Sequence, residues 1–499
     1  MPETTSDILL RVEELLSYDS SAPLIFSSGL FLFLFAGFLL IYNVLRRATT
    51  ARIIYVILFS LYFYYKSSGL YFLLLVFAAT SDFFIARALA RTERPAARRG
   101  WVALSVAVNL GMLGYFKYTN FLADIANDLF GAGFLRFPDI FLPVGISFFV
   151  FQSMSYTIDV YRRQLQPLRN WLDYLFYLSF FPQLVAGPIV RARDFLPQIR
   201  RRPTVTREMF GVGVFLILTG LFKKAVISDY LSLNFVDRVF DEPLLYTGFE
   251  CLMGIYGYAL QIYCDFSGYS DMAIGLALLL GFRFPKNFDA PYKSATITEF
   301  WHRWHISLSS WLRDYVYISL GGNRKGRIRT GFNLMLTMLL GGLWHGAAFR
   351  FILWGALHGV ALTLHKIWLA VIPGAKPSGE QMNCVSRIIG IFFTFNLVCL
   401  GWLIFRAESM QTVELLFHQI VFDFQADVIP QIVTGYVGVF ALLAVGYLLH
   451  LMPARLDSFV QRTVTAAPML LQVVMAAVLI WCVMQIKSSD IQPFIYFQF

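Results

Sequence analysis

Apolar residues in this chain gather into long stretches that few charged residues interrupt. Residues 24–45, 249–282 and 349–370 are examples, and similar stretches recur along the whole chain. A helix needs roughly 17 to 25 mostly apolar residues to cross the hydrocarbon of a bilayer. The pattern therefore predicts an all-α, polytopic integral membrane protein with about ten to twelve transmembrane helices, plus short or re-entrant helices that protein or water shields.

The amino-acid composition agrees with a membrane protein. Hydrophobic residues make up 58% of the chain and charged residues only 14%, whereas soluble domains carry roughly 25% charged residues. Basic residues cluster at 87–99 and 191–207 within a formal charge of +10, as is typical of cytoplasmic loops. The positive charge therefore indicates membrane topology, and nucleic acid is not expected as a partner because no soluble basic surface is evident.

Three parts of the chain differ in composition. Residues 1–23 form a polar, acidic segment without the basic n-region of a cleavable signal, so we expect a retained first span and an outward-facing N-terminus. Residues 24–486 are predicted to be a single membrane domain with a motif core at 263–359, followed by a C-terminal tail at 487–499. The five cysteines lie in or beside apolar stretches without metal-ligand spacing, so a disulfide framework is not expected.

Polar residues within the apolar body concentrate in the motif core. A charged side chain at the bilayer centre costs ~2.5 to 3.5 kcal/mol on insertion scales, so each such residue needs a partner or a use. Asp265 and Asp271 lie in an apolar stretch near the start of the core. We expect these two carboxylates to fix pairs of helices by hydrogen bonding to the backbone or to a basic neighbour.

The segment after residue 297 has the pattern of one helix that starts at Thr298 and Glu299. On such a helix Trp301, Trp304 and His305 share one face, because their spacings are three and four residues. An aromatic stripe of this kind is more often core than cofactor site. A buried imidazole among tryptophans and arginines nevertheless favours a functional role.

Two further histidines occupy apolar surroundings. His345 is followed by Gly346 at the end of an apolar stretch, and flanking glycines allow backbone or ligand to approach the imidazole closely. A hydrogen-bonded packing role is the alternative for His345. Packing is favoured for His358, because Trp354 and Gly355 precede it in a pattern typical of close helix contacts.

Several motifs follow one another in a recognisable order, namely Pro291-Tyr292, Glu299-Phe300-Trp301, Arg303-Trp304-His305, Ser307-Leu308-Ser309, Gly321-Gly322-Asn323, Trp344-His345-Gly346, Trp354-Gly355 and His358-Gly359. Together they resemble the membrane-bound O-acyltransferase family, particularly its bacterial branch of alginate O-acetylation and teichoic acid D-alanylation. The resemblance implies a rim of membrane helices around a thinned core, with a tunnel that reaches a histidine. It places the catalytic histidine at His345 and a second, motif-borne histidine at His305. His302 departs from the family pattern, in which arginine is usual.

The residues themselves fit acyl transfer to a hydroxyl. Such a reaction needs a general base within hydrogen-bond reach of the acceptor, and a neutral imidazole suits that role. His345 is the candidate base. Charge that develops on the thioester carbonyl needs hydrogen-bond donors, and Trp304, His305 or a backbone N–H near Gly346 are open alternatives.

The resemblance implies acetyl-CoA as the acyl donor and no bound cofactor. Phosphates of coenzyme A need cations, which basic residues around the motif core supply, although the same residues also fit ordinary loop charges. The predicted substrate-binding residues are Lys286, Asn287, Arg303, Trp304, Arg313 and Trp344. Metal catalysis is not expected, because no carboxylate or cysteine ligands accompany His302 and His305.

The resemblance favours an O-acyltransferase of the bacterial cytoplasmic (inner) membrane. It would move acetyl from cytoplasmic acetyl-CoA to an extracytoplasmic, alginate-like exopolysaccharide, with a periplasmic acetyltransferase as partner. Transfer of D-alanyl or another acyl group to a cell-envelope polymer is an alternative. A transporter or a structural scaffold is another, although internal repeats and a charged pore series are lacking.

The C-terminal tail contains Phe494, Tyr496 and Phe499, which resemble a terminal aromatic motif of acyl-relay systems in this branch. A phenol, with a pKa of about 10, is a better leaving group than a sugar hydroxyl. An acetyl ester on Tyr496 would therefore keep much of the transfer potential of a thioester. The alternative is an aromatic anchor at the membrane interface.

Overall fold

Helices connected by turns build the protein, and no β-strand occurs among the residues that the structure describes. A computed structural model describes residues 11, 13–20, 23–131, 133–135, 140–379 and 382–486. The predicted all-α class is therefore confirmed for this part of the chain. The chain divides into two compact units, each built around its own set of helices.

The first unit comprises Met1–Met209 and Leu276–Phe284. Its α-helices are α1 Gly29–Leu45, α2 Thr49–Ser68, α3 Phe72–Arg91, α4 Pro95–Leu113, α5 Thr119–Phe130, α6 Ile146–Tyr161, α7 Trp171–Ser179, α8 Phe181–Leu184 and α9 Ala192–Ile199. A π-helical segment, Gly114–Tyr118, joins α4 to α5.

The core of the first unit contains a carboxylate held by neutral partners. Asp82 on α3 is fully buried and accepts hydrogen bonds from Ser105 and Asn109 on α4 and from Ser153 and Thr157 on α6. These contacts bind one helix to two others that follow it in the chain. We call this group the Asp82 network.

The second unit comprises Phe210–Gly275 and Pro285–Phe499. The α-helices that lie wholly or mainly in it are α10 Arg207–Leu221, α11 Asp229–Leu231, α12 Asp237–Asp241, α13 Gly248–Leu279, α14 Ile297–Arg303, α15 Ile306–Trp311, α16 Arg327–His345, α17 Phe349–Val371, α18 Cys384–Arg406, α19 Met410–Phe422, α20 Ile429–Gly435, α21 Val437–Leu451, α22 Ala454–Ala466 and α23 Met469–Ile486. Further π-helical segments are Phe222–Ser228, Ser232–Val236 and Leu312–Tyr317.

Two ion pairs join the chain after α10 to helix α13. Lys223 Nζ lies 2.7 Å from Asp271 Oδ2, and Lys224 Nζ lies 2.5 Å from Asp265 Oδ1. Lys224 also pairs with Asp229 at 2.8 Å. The expectation that Asp265 and Asp271 fix helix pairs through basic neighbours is therefore confirmed.

The length and composition of four described helical stretches allow them to cross a membrane, and these are Thr49–Arg91, Arg207–Asp241, Phe349–Val371 and Cys384–Arg406. Two bent pairs, α20 with α21 and α22 with α23, raise the number to six if each pair forms one span. The predicted count of about ten to twelve is not confirmed. Breaks divide some apolar stretches into short helices: residues 171–185 contain α7 and α8, which at 9 and 4 residues are too short to span.

Candidate active site

The chain breaks its helix at His305. Helix α14 begins after Thr296, whose side chain accepts the N–H of Glu299, and it ends at Arg303. His305 has a φ of 42° and a ψ of 57°, in the left-handed region, and α15 begins at the next residue. The predicted continuous helix from Thr298, with Trp301, Trp304 and His305 on one face, is therefore wrong.

The break sends the three side chains to different neighbours. The ring of Trp301 packs against Trp354 at a centroid distance of 5.6 Å, and Trp304 packs against Trp402 at 4.8 Å. His305 instead lies 4.6 Å from Phe266, ring centroid to ring centroid. The aromatic stripe thus becomes three different contacts within the second unit, and Trp304 and His305 also share Phe288 as a neighbour.

Asn287 holds the backbone that follows the break. Its carbonyl oxygen accepts the N–H of Ile306 at 2.9 Å. Its Oδ1 accepts the N–H and the hydroxyl of Ser307 at 3.1 and 2.9 Å, and its Nδ2 donates to Ser270 Oγ at 3.1 Å. Asn287 was predicted to bind substrate, and the structure places it in hydrogen-bond contact with the two residues that follow His305.

The imidazole of His305 is completely buried. Its Nδ1 accepts the backbone N–H of Leu308 at 3.4 Å, so the ring caps the first turn of α15. His305 lies outside the candidate membrane spans, and burial lowers its pKa to about 3. The side chain is therefore neutral at physiological pH.

His345 is the last residue of α16 and is buried among aromatic rings. Its imidazole lies 5.0 Å from Trp344, 4.9 Å from Trp354 and 5.2 Å from Phe405, measured between ring centroids. All three pairs are close to perpendicular. These contacts fix the direction of the ring at the turn between α16 and α17.

The indole of Trp344 joins the two predicted histidines. It contacts His345 at 5.0 Å and His305 at 5.8 Å, so one ring touches both imidazoles. Two buried, titratable groups from separate segments thus meet around one side chain. This pair, with Trp344, is the candidate active site.

A side chain approaches Gly346 closely, whereas the sequence led us to expect that backbone or a ligand would approach the His345 imidazole. A Cβ built on Gly346 would overlap the ring of Phe351, and Phe351 in turn packs on Phe405 at 5.0 Å. The glycine therefore allows the helix hairpin to close next to His345. Helix α17 consequently packs next to His345, the candidate base.

The cations predicted to bind phosphate have carboxylate partners. Lys286 pairs with Asp289 at 2.6 Å, and Arg303 lies 3.0 Å from Glu299 and 3.6 Å from Asp289. Partial burial alone would raise the pKa of Asp289, but the hydrogen bond and charge of Lys286 and the charge of Arg303 lower it. Arg313 pairs with its neighbour Asp314 at 2.7 Å. Binding of substrate by these cations stays a prediction.

His358 is a packing residue in this structure. Its buried imidazole lies 5.1 Å from Trp301 and 4.7 Å from Trp354 between ring centroids. Gly401 on α18 comes so close that a Cβ there would lie 2.9 Å from His358 Nε2. His302, by contrast, is exposed. Within the described ranges, no group of three or more His, Cys, Asp or Glu side chains could hold a metal ion.

Sequence reasoning missed several residues around the site. Tyr292 Oη donates to the carbonyl of Ala259 at 2.6 Å and accepts from Trp402 Nε1 at 3.1 Å, while its backbone N–H donates to His450 Nε2 at 3.1 Å. Tyr292 belongs to a quoted motif, but nothing in the sequence identified Trp402 or His450 as its partners. Tyr496, the predicted relay residue, lies outside the described residues.

Comparison with known proteins places the chain in a family. A model of the membrane-bound O-acyltransferase family matches residues 157–411. The chain is 48% identical over 320 residues to a Pseudomonas putida protein named probable alginate O-acetylase, which covers 64% of this chain and 63% of that protein. A Pseudomonas aeruginosa protein with the same descriptive name is 43% identical over 394 residues, covering 78% of this chain and 73% of that protein. The peptidoglycan O-acetyltransferase of Helicobacter pylori is 35% identical over 419 residues, covering 78% of each. The chain belongs to the membrane-bound O-acyltransferase family.

Proposed function

We propose that this protein moves an acetyl group from cytoplasmic acetyl-CoA across the bacterial inner membrane for O-acetylation of an extracytoplasmic polysaccharide. The observation that carries the proposal is the pair of buried histidines, His305 and His345, in contact with one indole. The relatives named for alginate and peptidoglycan O-acetylation support acetyl as the acyl group and a polysaccharide as the acceptor.

His345 acts as the general base. An imidazole nitrogen takes the proton from the acceptor hydroxyl as its oxygen attacks the thioester carbonyl. The C–O bond forms, the C–S bond breaks, and the proton passes from His345 to the departing thiolate of coenzyme A. The aromatic rings around His345 support this role, because they exclude water that would otherwise hydrolyse the thioester.

Basic side chains near the motif core bind the phosphates of acetyl-CoA. Lys286 and Arg313 are more than half exposed, at 66% and 58% of their side-chain surface, and can exchange a carboxylate partner for a phosphate. Arg303 is only 19% exposed and shares Asp289 with Lys286. Lys286 and Arg313 are therefore the main donor-binding residues, and Arg303 orders the segment between them.

The acetyl group leaves the protein through a relay and a partner. Tyr496 accepts the acetyl group from acetyl-CoA after His345 removes the phenol proton, and a periplasmic acetyltransferase passes it from the tyrosine ester to the polymer. The low pKa of a phenol relative to a sugar hydroxyl supports this step. The multi-pass helical structure supports transfer across a membrane.

The test is transfer of radiolabelled acetyl from acetyl-CoA by the purified protein in detergent or vesicles. We expect His345→Ala to abolish transfer and hydrolysis while the protein keeps its elution profile. His302→Ala is the matched control, because His302 is an exposed histidine in the same unit, and it should retain activity. Equal transfer of labelled acetyl by His345→Ala and wild type would refute the proposal. If the protein transferred D-alanyl and not acetyl, the acyl group named in the proposal would be wrong.

A further inference from the structure

We infer that His305 is held as the Nε2–H tautomer and serves as a hydrogen-bond donor to the acyl carbonyl, with Asn287 and Ser270 as the positioning residues that keep it so. The inference rests on the proposed function. It gives the two histidines different tasks, since His345 accepts a proton and His305 donates a hydrogen bond without releasing one.

The tautomer of His305 follows from its contact with a backbone N–H group, which can donate a hydrogen bond but cannot accept one. The backbone N–H of Leu308 points at His305 Nδ1 from 3.4 Å, and the hydroxyl oxygen of Ser307 lies 3.5 Å from the same nitrogen. A peptide N–H only donates, so Nδ1 must present its lone pair and the ring proton must reside on Nε2. Burial, which lowers the pKa of His305 to about 3, keeps the ring from taking a second proton.

The ring reaches this bond only because the backbone of His305 is left-handed. A φ of 42° is unfavourable for a side chain with a Cβ and persists only where the surroundings hold it. The two peptide N–H groups after His305, those of Ile306 and Ser307, both donate hydrogen bonds to Asn287. Asn287 is therefore the residue that holds the turn.

The orientation of the Asn287 amide is also determined by fixed donors. Oδ1 faces the peptide N–H of Ser307, so Nδ2 must face the opposite side, where it donates to Ser270 Oγ. Ser270 lies on the long helix α13 and is 1% exposed, like Asn287 itself. The His305 turn is thus attached to a helix that is also joined to Lys223 and Lys224 by ion pairs.

The proposed hydrogen-bond donor, His305, and the proposed base, His345, contact the same indole, that of Trp344. Phe266 and Trp344 limit the rotation of the His305 ring at centroid distances of 4.6 and 5.8 Å. Nε2 is the ring nitrogen remote from the backbone, and Trp344 also contacts His345. In the transition state the thioester oxygen gains negative charge and accepts the Nε2–H bond, while the acceptor hydroxyl loses its proton to His345.

The test exploits two amides that imitate different ring nitrogens. Glutamine at position 305 can place its amide nitrogen near Nε2, whereas asparagine imitates only Nδ1. We expect His305→Gln to retain at least tenfold more kcat than His305→Asn, since loss of one such donor typically costs ~10²- to 10³-fold. Equal or higher kcat in His305→Asn would overturn the donor assignment.

A second pair of variants tests the positioning role. Asn287→Ala should lower kcat by at least tenfold and leave the KM for acetyl-CoA within about twofold, because it disturbs the donor and not the binding of coenzyme A. Asn396→Ala is the matched control, since the Asn396 amide accepts from Tyr256 in the same unit, and it should stay near wild type. A raised KM with unchanged kcat in Asn287→Ala would make Asn287 a substrate-binding residue instead.

Nitrogen NMR of ¹⁵N-histidine-labelled protein separates this inference from the proposed function. The His305 signals, assigned by their loss in His305→Gln, should show a protonated Nε2 and an unprotonated Nδ1. Asn287→Ala should broaden them or mix the tautomers. If wild type transfers no acetyl group, the proposed function fails while this spectrum still reports the tautomer. A protonated Nδ1 in wild type would overturn the inference even in an active enzyme.

Discussion

Replacement of Gly401 by alanine should disturb the candidate active site indirectly, through His358 and Trp354. A Cβ at position 401 would lie 2.9 Å from His358 Nε2 and 3.5 Å from Trp354 Nε1. The first distance is shorter than ordinary van der Waals contact, so the imidazole or helix α18 must move. His358 has little room, because Trp301 and Trp354 pack on it at 5.1 and 4.7 Å between ring centroids.

Such overpacking in a close-packed interior typically costs about 1 to 3 kcal/mol. Displacement of Trp354 also reaches His345, since their rings lie 4.9 Å apart. We therefore expect Gly401→Ala to lower thermal stability and to reduce kcat by about tenfold, as a 1.4 kcal/mol change in barrier implies. Stability is measured by heating in detergent followed by fluorescence-detected size exclusion, and kcat by labelled acetyl transfer.

Gly435→Ala supplies the control, because a Cβ at Gly435 would meet nothing within 4 Å. It should be neutral in both assays. His358→Ser would give the new methyl group space, so the double variant with Gly401→Ala should lose less stability than the sum of the two single changes. If Gly401→Ala is as stable and active as wild type, the close contact with His358 is not a constraint in the protein.

Two other predictions follow from residues described above. Tyr496→Phe should retain the aromatic tail and abolish acetylation of the polymer, because only the phenol oxygen is lost; normal acetylation in a cell-based assay of the polysaccharide would leave the tail as an interface anchor. Lys224→Met should destabilise the protein by about 3 to 5 kcal/mol, because it leaves the carboxylates of Asp265 and Asp229 without their buried cation; an unchanged melting profile in detergent would show that the ion pairs carry no net stability.

Periodicity predicted the helical class but not where one helix stops. Spacings of three and four between Trp301, Trp304 and His305 suit a continuous helix, and nothing local opposes it. The break depends on Asn287, which lies 20 residues before Ser307 in sequence and collects the N–H groups of the next turn. A contact of this kind is tertiary, so local propensity could not reveal it.

The chemical role of a single residue was easier to predict than the residues that it contacts. A carboxylate within an apolar stretch needs a hydrogen-bonding or charged partner. Asp265 and Asp271 were expected to bond the backbone or a basic neighbour, and Lys224 and Lys223 are the basic neighbours that they contact. Gly346 was expected to let backbone or a ligand approach His345, but the sequence could not show that the ring of Phe351 packs against this glycine. The contact of His305 and His345 with Trp344 required the packing of segments about 40 residues apart, which no pattern along the chain encodes.

The Asp82 network bears on how the protein is made. Helix α3 enters the membrane with a carboxylate whose cost at the bilayer centre is ~2.5 to 3.5 kcal/mol on insertion scales. Two of its partners, Ser105 and Asn109, are synthesised within the next helix, but Ser153 follows 71 residues later. A nascent chain that has reached only α4 therefore exposes a half-satisfied acid to lipid. We expect the first unit to become stable late in synthesis, when α6 arrives, and until then the ribosome-bound chain depends on the insertion machinery to shield α3.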